Sequence, residues 1–281
     1  MKNNIIIVNE KEFNRKVEQI KKDGFDNLHI IADFDRTLTT AEVNGKEFKS
    51  TIALLREDDY LDKDYIEKAH ALYDKYHSFE NDPTLSFEER SKKMQCWWQE
   101  HLDLHVEKGL NKAVVDKLCK DTEHKMQFRD GIEEFINILK EKNVPLLAFS
   151  AGLGDVIKYF LDDKSLLHNN VSIISNFYNY DSKGNIIGYK GRIIHSENKG
   201  EIAIAKDKHF SKIKNRKNVI LLGDSLGDLN MAKGLEHKEI IKIGFLAKGK
   251  DPKDFVEYDA LVLDDGSLEF VIELLKKLAN K

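Results

Sequence analysis

The sequence predicts a doubly wound α/β fold, built on a parallel sheet, with a helical cap domain inserted into it. Three observations lead to this prediction. Short apolar runs recur along the chain, segments with helical spacing lie between them, and one interval is far longer than a simple connection. The 281 residues are 41% hydrophobic and 33% charged. This composition fits a globular protein that is large enough to bury a core.

Five apolar runs have the length and composition of buried parallel strands. They cover residues 28–32, 144–149, 171–174, 219–222 and 240–243. Between and after these runs, apolar residues recur with helical spacing at 132–139, 202–205 and 268–278. Because strand and helix patterns alternate, we expect a doubly wound α/β core.

The interval from Thr40 to Phe128 holds about 89 residues, whereas a βαβ unit takes roughly 30. Its apolar residues have helical spacing, so we expect a helical cap at 40–128 and a core made of 1–39 and 129–281. A second excursion at 177–194 carries turn residues at 181–185 between two alternating segments. This pattern predicts a β-hairpin.

Charge and cysteine content narrow the possible functions. The 45 Lys and Arg residues and 49 Asp and Glu residues give a net charge of −4, so no broad basic field favours nucleic acid. Cys96 and Cys119 form no disulfide framework. The apolar run at 5–8 is too short for a signal peptide or a membrane span. We therefore expect a cytoplasmic protein that binds neither nucleic acid nor membranes and is a monomer or a weak oligomer.

Two strands are followed by paired carboxylates. Asp33 and Asp35 follow the run at 28–32 within the string Asp-x-Asp-x-Thr-Leu-Thr, and Asp224 and Asp228 follow the run at 219–222. Ligands bind at the carboxyl edge of a parallel sheet, so these acids are candidates for a site. A bare Asp-x-Asp pair could instead cap a helix or bind a stray cation, but the full string is more specific.

If the two acidic strands are neighbours, their carboxylates converge and need a cation. Hard oxygen ligands with room for water and phosphate favour Mg²⁺. Ser150 and Ala151 follow another strand and offer a hydroxyl and backbone donors to a phosphate oxygen. Lys199 could place a positive charge on the same phosphate. Taken alone, the serine could equally be an ordinary helix cap, and one lysine is weak evidence.

The order of these motifs resembles the haloacid dehalogenase superfamily of phosphotransferases, which has a Rossmann-type core. A closer resemblance is to the pyrimidine 5′-nucleotidase family, the type III cytosolic 5′-nucleotidases. The matching stretches are 33–39, 44–46, Glu80 with 82–83, 97–98, 149–155, 171–176, 188–191 with 194–195, 198–199, 221–228 with 231–232, and 261–263.

The resemblance implies a mechanism and a ligand set. It makes Asp33 the nucleophile that attacks phosphorus, and it makes Asp35 the general acid and base. It implies one Mg²⁺ held by the Asp33 side chain, the Asp35 main-chain carbonyl and Asp224, with Asp228 in support. It also assigns the phosphoryl oxygens to the serine and the lysine described above.

The resemblance also implies that the cap meets the base of a nucleotide. Glu80 would accept from an exocyclic amino group, unless it is a solvated acid at a helix end. Trp97 and Trp98 either stack on the base or pack inside the cap. His101 departs from the family, which commonly has a small hydroxyl residue there, and it leaves the base preference open.

These features predict a magnesium-dependent 5′-nucleotidase whose substrate is a small nucleotide, with CMP or UMP favoured. Some phosphate transfer to other nucleosides is implied by the resemblance. The first alternative is an enzyme that prefers 7-methyl-GMP. Others are a sugar phosphate or phosphoserine phosphatase and, disfavoured because every core motif is present, a non-catalytic nucleotide-binding module.

Overall fold

The computed structural model describes residues 4–57, 60–80, 82, 84–200 and 209–280. The first half of the chain contains β1 (Ile5–Ile7), α1 (Glu10–Asp23), β2 (Leu28–Ala32), β3 (Glu42–Val43), β4 (Lys46–Glu47), α2 (Thr51–Glu57), α3 (Lys63–Glu80), α4 (Phe87–Glu107) and α5 (Lys112–Asp121). The second half contains α6 (Ile132–Glu141), β5 (Leu146–Leu153), α7 (Gly154–Asp163), β6 (Val171–Asn176), β7 (Tyr178–Tyr180), β8 (Ile186–Tyr189), α8 (Phe210–Ile213), β9 (Asn218–Gly223), β10 (Glu239–Phe245), β11 (Ala260–Val262) and α9 (Glu269–Ala279).

The main sheet has the order β1-β11-β10-β9-β2-β5-β6. All of its neighbouring strands are parallel except β1, which pairs antiparallel with β11. The predicted parallel α/β core is therefore confirmed, with one antiparallel edge strand added. Strand β2 lies between β5 and β9. The chain order reverses there, and such switch points are where open α/β sheets bind ligands.

Burial explains why these segments fold as they do. Every residue of β2 and β9 is buried, as expected for central strands that are covered on both faces. Helix α6 buries Ile132, Phe135, Ile136 and Leu139, whose helical spacing predicts this helix. The predicted helical segment at 202–205 lies outside the described residues.

Four helices, α2 to α5, occupy most of the interval between Thr40 and Phe128. Helix α4 begins with a capping box in which Ser86 and Glu89 exchange side-chain and backbone hydrogen bonds. Strands β3 and β4 form a small antiparallel pair within the same interval. Thr39 and Phe128 pair in an isolated antiparallel bridge, so the two ends of the interval lie side by side. The domain boundaries themselves stay a prediction.

The excursion after β6 is a two-stranded hairpin, β7–β8, as its turn residues predict. Helix α4 contacts this hairpin. Trp98 meets Tyr189 edge to face, and the His105 ring lies within hydrogen-bond distance of the Tyr178 hydroxyl at 3.1 Å. Among the described helices, none is both long and apolar enough to cross a membrane.

Candidate active site

The predicted site residues meet at the carboxyl ends of the central strands. Asp33 follows β2 directly, and its backbone N–H donates to the Leu222 carbonyl of β9 at 3.0 Å. Asp224 follows β9, while Ser150 and Ala151 lie in β5. Because β2 is flanked by β5 and β9, the three segments lie next to one another. This is the arrangement that the order of motifs predicts.

Lys199 joins two of the buried acids. Its ammonium donates to Asp33 Oδ1 and, at 3.0 Å, to Asp228 Oδ1. Asp33, Asp228 and Lys199 are 6%, 3% and 5% exposed, so this network is largely removed from water. Burial raises the pKa of Asp33, the Lys199 charge opposes that rise, and the Asp228 charge adds to it. The two carboxylates more than offset the burial of Lys199, whose pKa is raised.

Carboxylate oxygens of Asp33, Asp224 and Asp228 all lie within 4.8 Å of one another. Burial, reinforced by the Asp228 charge, raises the pKa of Asp224 to about 7. One lysine cannot balance three carboxylates, and clustered oxygens of this kind suit a divalent cation. The residues present therefore fit the predicted Mg²⁺.

Asp228 has a second task in the same loop. Its Oδ2 accepts from the backbone N–H of Asp224 at 3.2 Å, and from the N–H and hydroxyl of Ser225 at 3.1 and 2.8 Å. Gly223 permits this turn, since a Cβ there would lie 2.5 Å from the Asp228 Cβ. Asp228 thus shapes the loop that carries Asp224, which agrees with a supporting position.

The Asp35 side chain is hydrogen-bonded to Thr51, the first residue of α2. Thr51 donates its backbone N–H to Asp35 Oδ1 at 3.0 Å and its hydroxyl to Asp35 Oδ2 at 3.1 Å. Burial raises the pKa of Asp35, and the Thr51 hydrogen bonds limit the rise. The backbone turns directly after Asp35, where Arg36 lies in the left-handed region at φ 64°.

The segment around Ser150 leaves the regular strand ladder. Pairing between β5 and β6 shifts register between Phe149 and Leu153. The buried Ser150 hydroxyl accepts from the Gly152 N–H at 2.9 Å. Asn176, at the end of β6, donates its side-chain amide to the Ala151 carbonyl at 2.7 Å. These hydrogen bonds hold the segment from Ser150 to Gly152 in place beside the end of β6.

The four predicted base-binding residues have different surroundings. Trp97 packs between α3 and α4, stacked on Tyr76 with ring centroids 6.2 Å apart. Trp98 instead contacts the hairpin through Tyr189. Glu80 ends α3 with its side chain 30% exposed, and its Oε2 lies 3.6 Å from Nδ1 of the His77 ring. Asn81 and Pro83 lie outside the described residues.

His101 is 2% exposed, and neither ring nitrogen has a hydrogen-bond partner among the described residues. Burial, assisted by the Arg56 charge, lowers the pKa of His101 to about 4. The ring touches Trp97 and His105 edge to face. His101 is therefore a neutral ring inside the cap at physiological pH.

Two residues of this region carry no signal in the sequence. Thr51 lies 16 residues from Asp35, outside any motif. Arg129 is 1% exposed and lies beneath the loop that bears the first two acids. It donates to the carbonyl oxygens of Arg36, Thr37, Thr39 and Gly266, and it pairs with Asp265 at 2.8 Å.

The family model described as Pyrimidine 5′-nucleotidase (UMPH-1) matches residues 36–279. A Xenopus laevis protein named 7-methylguanosine phosphate-specific 5′-nucleotidase A is 34% identical over 270 residues, which are 95% of this chain and 92% of that protein. A crystal structure of cytosolic 5′-nucleotidase IIIB bound to cytidine superposes with a TM-score of 0.87 at 26% identity, covering 99% of this chain and 95% of that one.

A phosphoserine phosphatase structure has the same fold at a TM-score of 0.52 and 19% identity, covering 88% of this chain and 97% of that one. The predicted haloacid dehalogenase-like fold is thus confirmed. The chain belongs to the pyrimidine 5′-nucleotidase family and is a 5′-nucleotidase, a hydrolase of phosphoric monoesters.

Proposed function

We propose that this enzyme removes phosphate from nucleoside 5′-monophosphates through a covalent aspartyl-phosphate on Asp33. The observation that carries the proposal is the buried cluster of Asp33, Lys199, Asp224 and Asp228 at the switch point of the sheet. It combines a carboxylate nucleophile with positive charge for a phosphoryl group. Such a pairing is what phosphoryl transfer requires.

The reaction has two displacement steps at phosphorus. In the first, an Asp33 carboxylate oxygen bonds to phosphorus, the bond from phosphorus to O5′ breaks, and Asp35 gives its proton to O5′. In the second, water bonds to phosphorus and gives a proton to Asp35, and the bond from phosphorus to Asp33 breaks. The raised pKa of Asp35 supports its role as an acid near neutral pH.

The remaining groups hold the phosphoryl oxygens and the cation. Ser150 and the Ala151 backbone, together with Lys199, are proposed to bind the phosphoryl oxygens. The Asp33 and Asp224 side chains and the Asp35 carbonyl would hold Mg²⁺, with Asp228 in support. Bound there, the cation supplies charge neutralisation to the phosphoryl group.

The base is proposed to meet the cap near Glu80. A carboxylate accepts from cytosine N4 and equally from guanine N1 and N2, so Glu80 suits both CMP and 7-methyl-GMP. The cytidine-bound relative supports the first substrate, and the name of the Xenopus relative supports the second. Trp98, beside the hairpin, completes the proposed base region, whereas His101 is 2% exposed and supports that region by packing. Trp97 contributes mainly by packing, since Tyr76 covers its ring.

A phosphate-release panel tests this function. It contains CMP, UMP, AMP, GMP, 7-methyl-GMP, phosphoserine and glucose 6-phosphate, each with Mg²⁺ and with EDTA. We expect release from CMP or 7-methyl-GMP that requires Mg²⁺ and is absent in Asp33→Asn. An added nucleoside should take part of the phosphate. Release from glucose 6-phosphate or phosphoserine alone would refute the nucleotide substrate.

A further inference from the structure

Thr51 is the first residue of α2, and its side chain is completely buried. It occupies both carboxylate oxygens of Asp35, one through its backbone N–H and the other through its hydroxyl, at 3.0 and 3.1 Å. A carboxylate on a short side chain rotates readily about its last bond. Two donors from one residue remove that freedom.

The direction of the Thr51 hydroxyl is itself fixed. Its oxygen accepts from the Leu153 N–H at 3.0 Å. A threonine hydroxyl has a single hydrogen to donate, and the neighbouring acceptor is Asp35 Oδ2. Thr51 therefore connects the segment after Ser150 to the Asp35 carboxylate.

Gly152 allows this close approach. A Cβ at Gly152 would overlap the Thr51 hydroxyl, and it would lie 2.9 Å from Asp35 Oδ2 and 3.1 Å from Ser150 Oγ. Asp35, the start of α2 and the segment around Ser150 thus pack together with no room for one more carbon. Such tight packing restricts all three groups to one arrangement.

We propose that Thr51 is a positioning residue that orients the Asp35 carboxyl for proton transfer to and from the substrate. This inference rests on the proposed function, in which Asp35 gives a proton to O5′ and later takes one from water. Each carboxyl oxygen keeps a further site for that proton while Thr51 holds it. Because Thr51 belongs to α2, the orientation of the Asp35 carboxyl depends on how α2 packs against the core.

Two substitutions separate the hydroxyl from the rest of the side chain. Thr51→Val keeps the shape and the backbone N–H but removes the hydroxyl, whereas Thr51→Ser keeps the hydroxyl. General acid–base catalysis contributes about 10²- to 10⁴-fold, and we expect Thr51→Val to lose about 10- to 100-fold of kcat on a nucleotide. KM should change by less than about 3-fold, since the lost contact is not a substrate contact. Thr51→Ser should recover most of kcat.

A second substrate distinguishes misplacement of Asp35 from general damage. An aryl phosphate such as p-nitrophenyl phosphate releases a phenolate that needs no proton. Thr51→Val should therefore keep the first-turnover rate of phenolate release within about 3-fold of wild type while the nucleotide rate falls. The ratio of the nucleotide rate to the aryl phosphate rate does not depend on how much of the variant is folded. It is also insensitive to disturbance of the Ser150 segment, which would slow both substrates.

The outcomes separate the two proposals. Unchanged kcat on the nucleotide in Thr51→Val, an equal loss in Thr51→Ser, or an equal loss on both substrates would each overturn the positioning role. Failure of the proposed function would appear earlier, as wild-type enzyme that releases no phosphate from any nucleotide.

Discussion

At the scale of single residues, His101 is a titratable ring held in its neutral form. It is 2% exposed, with a pKa lowered to about 4 chiefly by burial. Arg56 opposes its protonation, Glu100 favours it, and the neighbouring His105 has a pKa that is also lowered. In the unfolded chain His101 would titrate near 6.5. The unfolded state therefore binds more protons between these two values.

From this difference we predict that the free energy of unfolding falls as the pH is lowered from 7 to 5. His101 alone should account for about 2 kcal/mol of the fall. In His101→Phe this part should vanish, while the part due to His105 remains. Urea denaturation of both proteins at several pH values measures it. Identical pH slopes for the two proteins would show that His101 is not buried as a neutral ring.

The acids of the site were predictable from the sequence because each belongs to a local string after an apolar run. Asp33, Asp35, Asp224 and Asp228 are of this kind, and Ser150 and Lys199 became informative through their order along the chain. Thr51 and Arg129 were not predictable. Thr51 contacts Asp35, 16 residues away, and Arg129 contacts Arg36, 93 residues away. Tertiary packing brings these partners together, and no local sequence pattern predicts such contacts.

At the scale of elements, the passage between the core and the interval 40–128 is held by a buried ion pair. Arg129, which follows this interval in the chain, pairs with Asp265 at 2.8 Å. Asp265 accepts from the backbone N–H groups of Ala41 and Glu42 at 2.7 and 2.9 Å, and also from the Thr40 hydroxyl. The pair thus fixes both the loop after Asp33 and the start of the interval.

We predict that Arg129→Met lowers the free energy of unfolding by about 3 to 5 kcal/mol, because it leaves the Asp265 carboxylate buried without its partner. Arg129→Lys should still lose stability, since an ammonium cannot replace the planar donors that reach several carbonyls. Denaturant titration measures both.

The matched control is Lys276→Met, which removes an exposed ion pair with Glu134. The side chains of Lys276 and Glu134 are 57% and 53% exposed. This substitution should change the free energy of unfolding by less than about 1 kcal/mol. Similar losses in Lys276→Met and Arg129→Met would contradict a special role for the buried pair.

Elements marked by turn residues or by repeated helical spacing were predicted better than elements that carry neither signal. The hairpin β7–β8 followed from its turn residues, and the helices of the interval followed from their spacing. The edge strand β1 has three residues, too few for a pattern to separate strand from coil. It forms because β11 offers it a partner, and pairing of that kind is decided by the whole sheet.

At the scale of the whole molecule, α4 spans from the site to the hairpin. Near its start, Arg90 pairs with Glu197 at 3.2 Å, two residues before Lys199. Near its end, His105 lies between the hydroxyls of Tyr65 and Tyr178 at 3.2 and 3.1 Å. The helix that bears the tryptophans is thereby attached to the segment that bears Lys199, the proposed phosphate ligand. The proposed base region and the proposed phosphate site are therefore joined by α4.

In the proposed mechanism Asp33 carries the phosphoryl group between the two steps. Enzyme mixed with CMP or 7-methyl-GMP labelled with ³²P at the phosphate, quenched in acid during the first turnovers and digested, reveals where the label resides. We predict an alkali-labile label on the peptide that contains Asp33, and none in Asp33→Asn. A label on a different peptide, or a label that persists in Asp33→Asn, would rule out Asp33 as the residue that is phosphorylated.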